Sequence, residues 1–272
     1  RATTSTNEKS AQDVEIAATA RNVSAWANFS SPYTMYVAKP PETSSRFAYA
    51  YVIGGCKPEE PSYRAYFHDI ILSTYLQREE GSTADVVVFV QMAFKSSFTE
   101  LPDVDRNLLG AMDIRIRYIP KNENESFYRT MLDKFLILTM TEYERVLFMD
   151  GDVMAVGNLD YLFDMSVNGV LKENLVFAGQ SEPCSGGFFM VAPKTDSRER
   201  IMEIMRSTEE RGAKLPYPHW DETVGWGYPM DETEYYELFG GRKKNLWDFY
   251  GAFADQGLLF HWVKYDEKSG SI

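Results

Sequence analysis

The sequence predicts an α/β fold: a single domain built on a mostly parallel central sheet flanked by helices. Three observations predict it. Short apolar runs, the pattern of strands buried on both faces, recur within 47–53, 85–90 and 145–149, and 114–119 adds a further strand. Segments with apolar residues at helical spacing lie between them, giving the order strand, helix, strand, strand, helix, strand. Finally, Gly54-Gly55-Cys56 and Asp150-Gly151-Asp152 both follow directly on a predicted strand, and open α/β sheets bind ligands beyond the carboxyl ends of their strands.

Each element follows from local pattern. Residues 1–45 are polar, rich in Ser, Thr, Asn and Ala, and break at Lys39-Pro40-Pro41, which predicts a peripheral arm or stem. Phe47–Ile53 is the first strand, stopped by Gly54-Gly55. Tyr63, Tyr66, Phe67, Ile70 and Ile71 share one helical face and predict a helix over roughly 62–79. Asp85–Val90 and Ile114–Ile119 are the second and third strands, the latter ended by Pro120. Tyr128, Met131, Leu132 and Phe135 mark a helix over roughly 127–140, and Arg145–Met149 is the fourth strand. Leu175–Ala178 and Phe188–Val191 are short strands, and Ile201, Ile204 and Met205 define a helix beginning near Asp196. Residues 211–247 are rich in Pro, Gly, Trp and Tyr without period, and Ala254–Lys264 reads as helical. The organisation expected is an arm at 1–45, an α/β core at 46–193 and a continuation of the same domain at 194–272.

Composition excludes several functions. The 272 residues carry 40 acids against 28 bases, a formal net charge of -12, which argues against bare nucleic acid or anionic lipid as a partner. No apolar run reaches the length of a membrane-spanning helix. The chain starts at Arg1 without a signal-like stretch, so the expectation is a removed leader or an excised fragment. Cys56 and Cys184 exclude a disulfide-dense scaffold and a four-cysteine zinc site, and leave one bridge or two free thiols open. Sequons at Asn22, Asn28 and Asn124 tilt the reading toward a secretory compartment.

Asp150-Gly151-Asp152 is the central chemical signal. In extended backbone, residues two apart point to the same side, so both carboxylates would offer hard oxygens to Mg2+ or Mn2+. Gly151 leaves room for a ligand, and the metal would neutralise phosphate oxygens. Asp103-Val104-Asp105 repeats the spacing, but without a strand before it.

The stretch Phe135–Phe163, with Tyr143-Glu-Arg-Val-Leu-Phe-Met-Asp150-Gly-Asp152 and Asn158-Leu-Asp-Tyr-Leu-Phe163, resembles the glycogenin-like, retaining glycosyltransferases of family 8. Cys184-Ser-Gly-Gly-Phe-Phe-Met-Val-Ala-Pro193 is similar to that family's Asn-Ser-Gly strand, with Ser185 at its Asn position and Gly186 at its Ser. Ala254-Asp-Gln-Gly-Leu-Leu259 is similar to its Asp-Gln-Gly-x-Leu helix start. The resemblance spans about residues 47–260 and implies a GT-A type domain with a Rossmann-like sheet, a UDP-sugar donor, Mn2+ (or Mg2+) and a carbohydrate, lipid or protein acceptor.

Carried over residue by residue, the resemblance implies Asp150 and Asp152 as metal ligands and Lys134 as the lysine that reaches the donor. Gly54 and Cys56 stand where the family holds uracil and ribose, though the family's Thr-Asn is missing there. Tyr66 is a candidate for base stacking, with a core position as the alternative. Gly151 flanks the metal site, and Ser185, Gly186 and Gly187 would line the sugar pocket. Asp255 would lie beneath the transferred sugar with Gln256 beside it, and a helix N-cap is the other reading of Asp255. The resemblance also implies a Golgi lumenal enzyme with an N-terminal membrane anchor outside this chain.

The family's late His-x-x-Gly-x-x-Lys-Pro-Trp segment has no counterpart before Ile272, which predicts a C-terminal truncation. His261 follows Asp255 by six residues, a turn of about 240° on a helix, so it is not expected to serve instead. Of the other weaker candidates, His68 and His219 read as structural or solvated. Glu182 is placed to touch sugar hydroxyls. Trp220, Trp226, Tyr228, Tyr235 and Trp247 suit either an acceptor platform or a packed lid. Two rival functions are a non-catalytic sugar-binding relative and an Asp-nucleophile phosphatase. The phosphatase class expects Thr or Val where Met154 stands.

Overall fold

The structure is a computed structural model that describes residues 45–121, 131–178, 182–210, 220–227, 247–266 and 270–271. Seven strands form one sheet: β1 (Phe47–Cys56), β2 (Asp85–Met92), β3 (Ile114–Ile119), β4 (Arg145–Met149), β5 (Asn174–Val176), β6 (Phe188–Val191) and β7 (Gly270–Ser271). Their spatial order is β3-β2-β1-β4-β6-β5-β7. The β3-β2-β1-β4 block is parallel throughout, β6 is antiparallel to β4 and to β5, and β7 is parallel to β5. This is the mostly parallel, helix-flanked α/β sheet that the apolar runs predict.

Strand alternation sorts the core into two layers. Tyr49, Tyr51, Val86, Val88, Leu147 and Met149 face one side. There they pack on α1 (Arg64–Glu79), α2 (Asp103–Gly110) and α3 (Asp160–Val167) through Phe67, Ile70, Leu109 and Phe163. Ala48, Ala50, Val87, Val146 and Phe148 face the other side. They meet the 3-10 segment Asp133–Thr139, α4 (Ser197–Glu210) and α5 (Asp255–His261). Trp226, Trp247, Leu258 and Phe260 belong to the same cluster as Ala48 and Phe148, so described residues on either side of position 194 share one core.

Several boundaries differ from expectation, each for a physical reason. β1 does not stop at Gly54-Gly55 but runs to Cys56, because Gly55 takes φ 67° and absorbs a register shift between Ile53 and Cys56. Of the helix expected near 127–140, 131–132 are α-helical and continue as a 3-10 helix over Asp133–Thr139; 127–130 lie outside the described residues. The helix expected over Ala254–Lys264 is α5 followed by a π turn, Trp262–Asp266. Asp103-Val104-Asp105 opens α2 directly after Pro102, where acidic residues complement the helix dipole. Asp105 is buried, accepting from Tyr63 Oη at 2.7 Å and Arg64 Nε at 2.7 Å, a structural role. The arm at 1–44 and most of 211–246 also lie outside the described residues.

Candidate active site

Sheet register assembles the site. β4 ends at Met149, which pairs with Phe188 of antiparallel β6. The ladder continues one step, the Asp150 N–H donating to Gly187 O at 2.9 Å, so the β6 entry loop lies beside Asp150. From the other layer the 3-10 segment brings in Lys134, and the first turn of α5 brings in Asp255.

Lys134 is the centre of this meeting. It is 5% exposed, and its Nζ donates to Asp255 Oδ2 at 2.5 Å, Gly186 O at 2.8 Å and Asp150 Oδ1 at 3.3 Å. Those three bonds use all three ammonium protons. Nζ also lies 5.1 Å from the centre of the Phe148 ring. Burial works against its charge, but Asp255 and Asp150 outweigh it and hold the ammonium above its ordinary range. Asp255 is 3% exposed. The N-cap of α5 is Ala254, so the N-cap reading of Asp255 is corrected: it is the first helical residue and its carboxylate goes to Lys134.

Glycine makes this approach feasible. A Cβ on Gly186 would fall onto Asp255 Oδ2 and within 2.9 Å of Gln256 Cγ, and one on Gly187 within 2.8 Å of Asp150 Oδ2. Ser185 Oγ accepts from the Gly187 N–H at 3.3 Å and shapes the loop. Gln256 Nε2 donates to Glu182 Oε2 at 2.9 Å, Cys184 O at 3.1 Å and Tyr250 O at 3.2 Å, tying α5 to the same loop.

Asp150-Gly151-Asp152 is not extended, a correction to the premise of the carboxylate argument. The Val153 N–H donates to Asp150 O at 2.9 Å and closes a tight turn. Asp150 is partly exposed and Asp152 exposed. Burial raises the Asp150 carboxyl above the usual carboxylate range; Lys134 lowers it again, and the charges of Asp255 and Asp152 add to the rise. Two carboxylates at one turn, one partly exposed and one exposed, are the hard-oxygen chemistry that a divalent cation takes. No group of three or more His, Cys, Asp or Glu that could hold a metal ion occurs among the described residues.

Other expectations divide. Tyr66 is not core: it is 46% exposed and packs on Gly151, whose added Cβ would meet Tyr66 Cδ1 at 3.1 Å. The Cys56 side chain is fully buried, its Sγ donating to Ile53 O at 3.9 Å; burial and nearby Asp105 push the thiol up to about 12. Its carbonyl accepts from Ala93 N–H at 2.8 Å at the strand end. Gly54 lies inside β1. Both cysteines are free and sit in opposite core layers, which settles the bridge question against pairing. His68 is exposed, and His261 is buried, stacked on Trp247 at 6.0 Å, away from the carboxylates. Trp226 and Trp247 are buried, and Trp226 Nε1 donates to Ala252 O at 2.8 Å, so these two pack as core rather than forming a platform. His219, Tyr228 and Tyr235 lie outside the described residues. Sequence reasoning missed Gln91. Buried at the end of β2, it donates to Asp133 Oδ2 at 2.9 Å and Pro120 O at 3.0 Å and so fixes the residue next to Lys134. A lone amide closing an apolar strand was the available signal.

No family model matches the chain. UDP-glucuronate:xylan alpha-glucuronosyltransferase 1 of Arabidopsis thaliana is 28% identical over 138 residues, 47% of this chain and 20% of that protein. The chain thus spans about a fifth of that relative's length. Solved structures that resemble it include mouse xyloside xylosyltransferase 1, with TM-score 0.42, 9% identity and 83% and 84% of the two chains covered. An active-site mutant of LgtC has TM-score 0.43 and 14% identity over 62% of this chain and 66% of that one. The glycosyltransferase GlyE of Streptococcus pneumoniae has TM-score 0.38 and 14% identity, covering 71% and 43%. No helix among the described residues is long and apolar enough to cross a membrane.

Proposed function

We propose that the chain is a metal-dependent, retaining glycosyltransferase of the GT-A type. It would move a sugar from a UDP-sugar to a hydroxyl of a glycan, lipid or protein acceptor. The observation that carries this reading is the convergence of Lys134, Asp150 and Asp255 under the Gly186-Gly187 loop at the carboxyl end of β4. The Arabidopsis relative, whose name records a UDP-sugar donor, and the ordered family motifs support it.

The chemistry follows from the residues. The bond between the anomeric carbon and the diphosphate breaks, its electron pair staying on the nucleoside diphosphate. The acceptor oxygen bonds to that carbon, and its proton passes to the departing phosphate oxygen. The leaving group is already an anion, so it needs positive charge rather than an acid. Mn2+ or Mg2+, held by Asp150 and Asp152, would supply Lewis-acid stabilisation of the diphosphate. Lys134 holds Asp255 and Asp150 at fixed separation and adds a cation beside the departing phosphates. Asp255 would lie near the anomeric carbon and stabilise its oxocarbenium-like charge. A glycosidase instead needs a second carboxyl as proton donor. Gln256, braced by Glu182 and Cys184 O, would orient the sugar, and Gly186 and Gly187 let it approach. Tyr66, exposed beside Gly151, is open to a stacked base.

The three sequons and the family resemblance support residence in the lumen of the secretory pathway, in the Golgi. The testing experiment is a screen of UDP-sugars with Mn2+, scoring UDP release and transfer to sugar acceptors. UDP release with one donor, lost in EDTA, is the expected result. Phosphate release from simple esters, with every UDP-sugar left intact, would overturn the reading.

A further inference from the structure

The turn that carries Asp150 and Asp152 rests on a buried relay of hydroxyls that the reaction does not use. Ser73 of α1 and Tyr51 of β1 are both fully buried beneath it. The Ala155 N–H donates to Ser73 Oγ at 3.1 Å, and Gln77 Nε2 donates to the same oxygen at 3.4 Å. Ser73 Oγ and Tyr51 Oη are 3.2 Å apart, and Tyr51 Oη donates to Met149 Sδ at 3.9 Å. A serine hydroxyl has two lone pairs and one proton. Two N–H donors fill the lone pairs, so the Ser73 proton points to Tyr51, and the Tyr51 proton points to the Met149 sulfur. The proton order runs one way from Ala155 to Met149.

Those two residues bracket the turn. Met149 immediately precedes Asp150, and Ala155 follows Asp152 by three residues. Between them, the bonds that define the turn are Val153 N–H to Asp150 O and Asp150 N–H to Gly187 O. Helix α1 also touches the middle of the turn, since Tyr66 packs on Gly151. Tyr66 and Ser73 are seven residues apart, about two helical turns, and so share one face of α1. One rigid helix therefore meets the turn at its glycine and at its exit, while Tyr51 meets its entry.

We propose that Ser73 and Tyr51 are positioning residues that staple both ends of the Asp150–Asp152 turn and hold its carboxylates in the arrangement that takes a divalent cation. This rests on the metal-dependent reading above. Removing either hydroxyl leaves a buried partner unsatisfied and frees the turn, and loss of a buried group that orients ligands typically weakens metal binding about tenfold or more.

The test uses the whole chain with Mn2+ and UDP as probes. Ser73→Ala and Tyr51→Phe are compared with Thr74→Val. Thr74 is also fully buried, one residue along α1, but its hydroxyl donates to Ile70 O at 2.8 Å and takes no part in the relay. Two readouts are taken: Mn2+ affinity with UDP by calorimetry, and hydrogen exchange of the peptide covering 150–156. Ser73→Ala and Tyr51→Phe are expected to weaken Mn2+ binding about tenfold and to speed exchange in that peptide, with Thr74→Val unchanged in both. Unchanged exchange in both relay variants overturns the staple. Faster exchange with wild-type Mn2+ affinity overturns the positioning role. An equal loss in Thr74→Val does so too, because it would mark general destabilisation of α1. A wild-type chain that binds no Mn2+ with UDP overturns the proposed reaction instead, and the exchange readout still judges the staple.

Discussion

Replacing Lys134 with methionine keeps most of the side chain's volume and removes its charge. The ammonium is buried, it is shared by Asp255 and Asp150, and it is the donor to Gly186 O. Asp255 is only 3% exposed, so the substitution leaves a carboxylate out of water without its cation. Breaking a buried pair from one side costs about 3–5 kcal/mol. Asp150 contributes less to this loss, because its side chain is 41% exposed and water can replace part of what Lys134 supplied. For a chain of this length the melting temperature should fall by about 10 °C, measured by scanning calorimetry at neutral pH. The double variant Lys134→Met/Asp255→Asn removes the stranded charge and should regain about half of that loss, read as a coupling energy of at least 1 kcal/mol in a double-mutant cycle. Transfer activity should stay lost in both. If Lys134→Met melts within 2 °C of the wild type, or the double variant is no better than the sum of the singles, the three-way junction is not the energetic centre argued for here.

Other outcomes follow from the same geometry. Asp152→Asn should nearly abolish transfer while leaving melting unchanged, since Asp152 is exposed; a variant that keeps Mn2+-stimulated UDP release would remove it from the metal site. Asp255→Asn should lower kcat by about a hundredfold or more with donor KM within about threefold, because in the proposed reaction its charge would act on the transition state, and steady-state kinetics decide this. Gly186→Ala should also inactivate, its methyl displacing Asp255, and overpacking of about 1–3 kcal/mol should appear in urea unfolding. Cys56 and Cys184 should ignore a thiol-specific disulfide reagent at pH 8 until the chain is unfolded. Burial pushes the first up to about 12 and the second well above the ordinary thiol range, so thiolate forms only at pH above those values.

The parallel block of the fold was legible because strands buried on both faces must be apolar along their whole length. Val86–Val90 and Val146–Met149 are runs of that kind and of strand length, and α1 follows from Phe67 and Ile70 on one face. Less legible were elements whose signal is shared with chemistry. Asp103-Val104-Asp105 repeats the Asp150–Asp152 spacing without a strand before it, and it is a helix start and a buried ion pair, a role that no local pattern announces. Gly54-Gly55 read as a stop, while in the sheet the positive φ of Gly55 carries β1 across a bulge. In the site, Asp150 was legible from its spacing to Asp152 at a strand end, while Lys134 and Asp255 were named only through the resemblance. Lys134 and Asp255 stand 121 positions apart, and no local pattern announces that contact. Nor does any local pattern show that Ser73 and Tyr51, each unremarkable in an amphipathic helix or a strand, meet beneath the Asp150 turn.

The antiparallel β6 explains why that convergence occurs where it does. Had β6 run parallel to β4, its carboxyl end and not its entry loop would lie beside Asp150, and Ser185-Gly186-Gly187 would sit at the far edge of the sheet. Reversal places the glycines at the same end as Asp150, and the Met149–Phe188 pairing sets their height to within one residue. The absence of side chains at Gly186 and Gly187 then lets Asp255 and Asp150 both reach one ammonium, while the Gly186 carbonyl takes its third proton. A side chain at either glycine would collide with a carboxylate, so the strand direction, the two glycines and the lysine act as one device. The 3-10 form of Asp133–Thr139 belongs to it as well, since the Gln91 bond to Asp133 fixes the start of that segment and hence the point from which Lys134 reaches across the core.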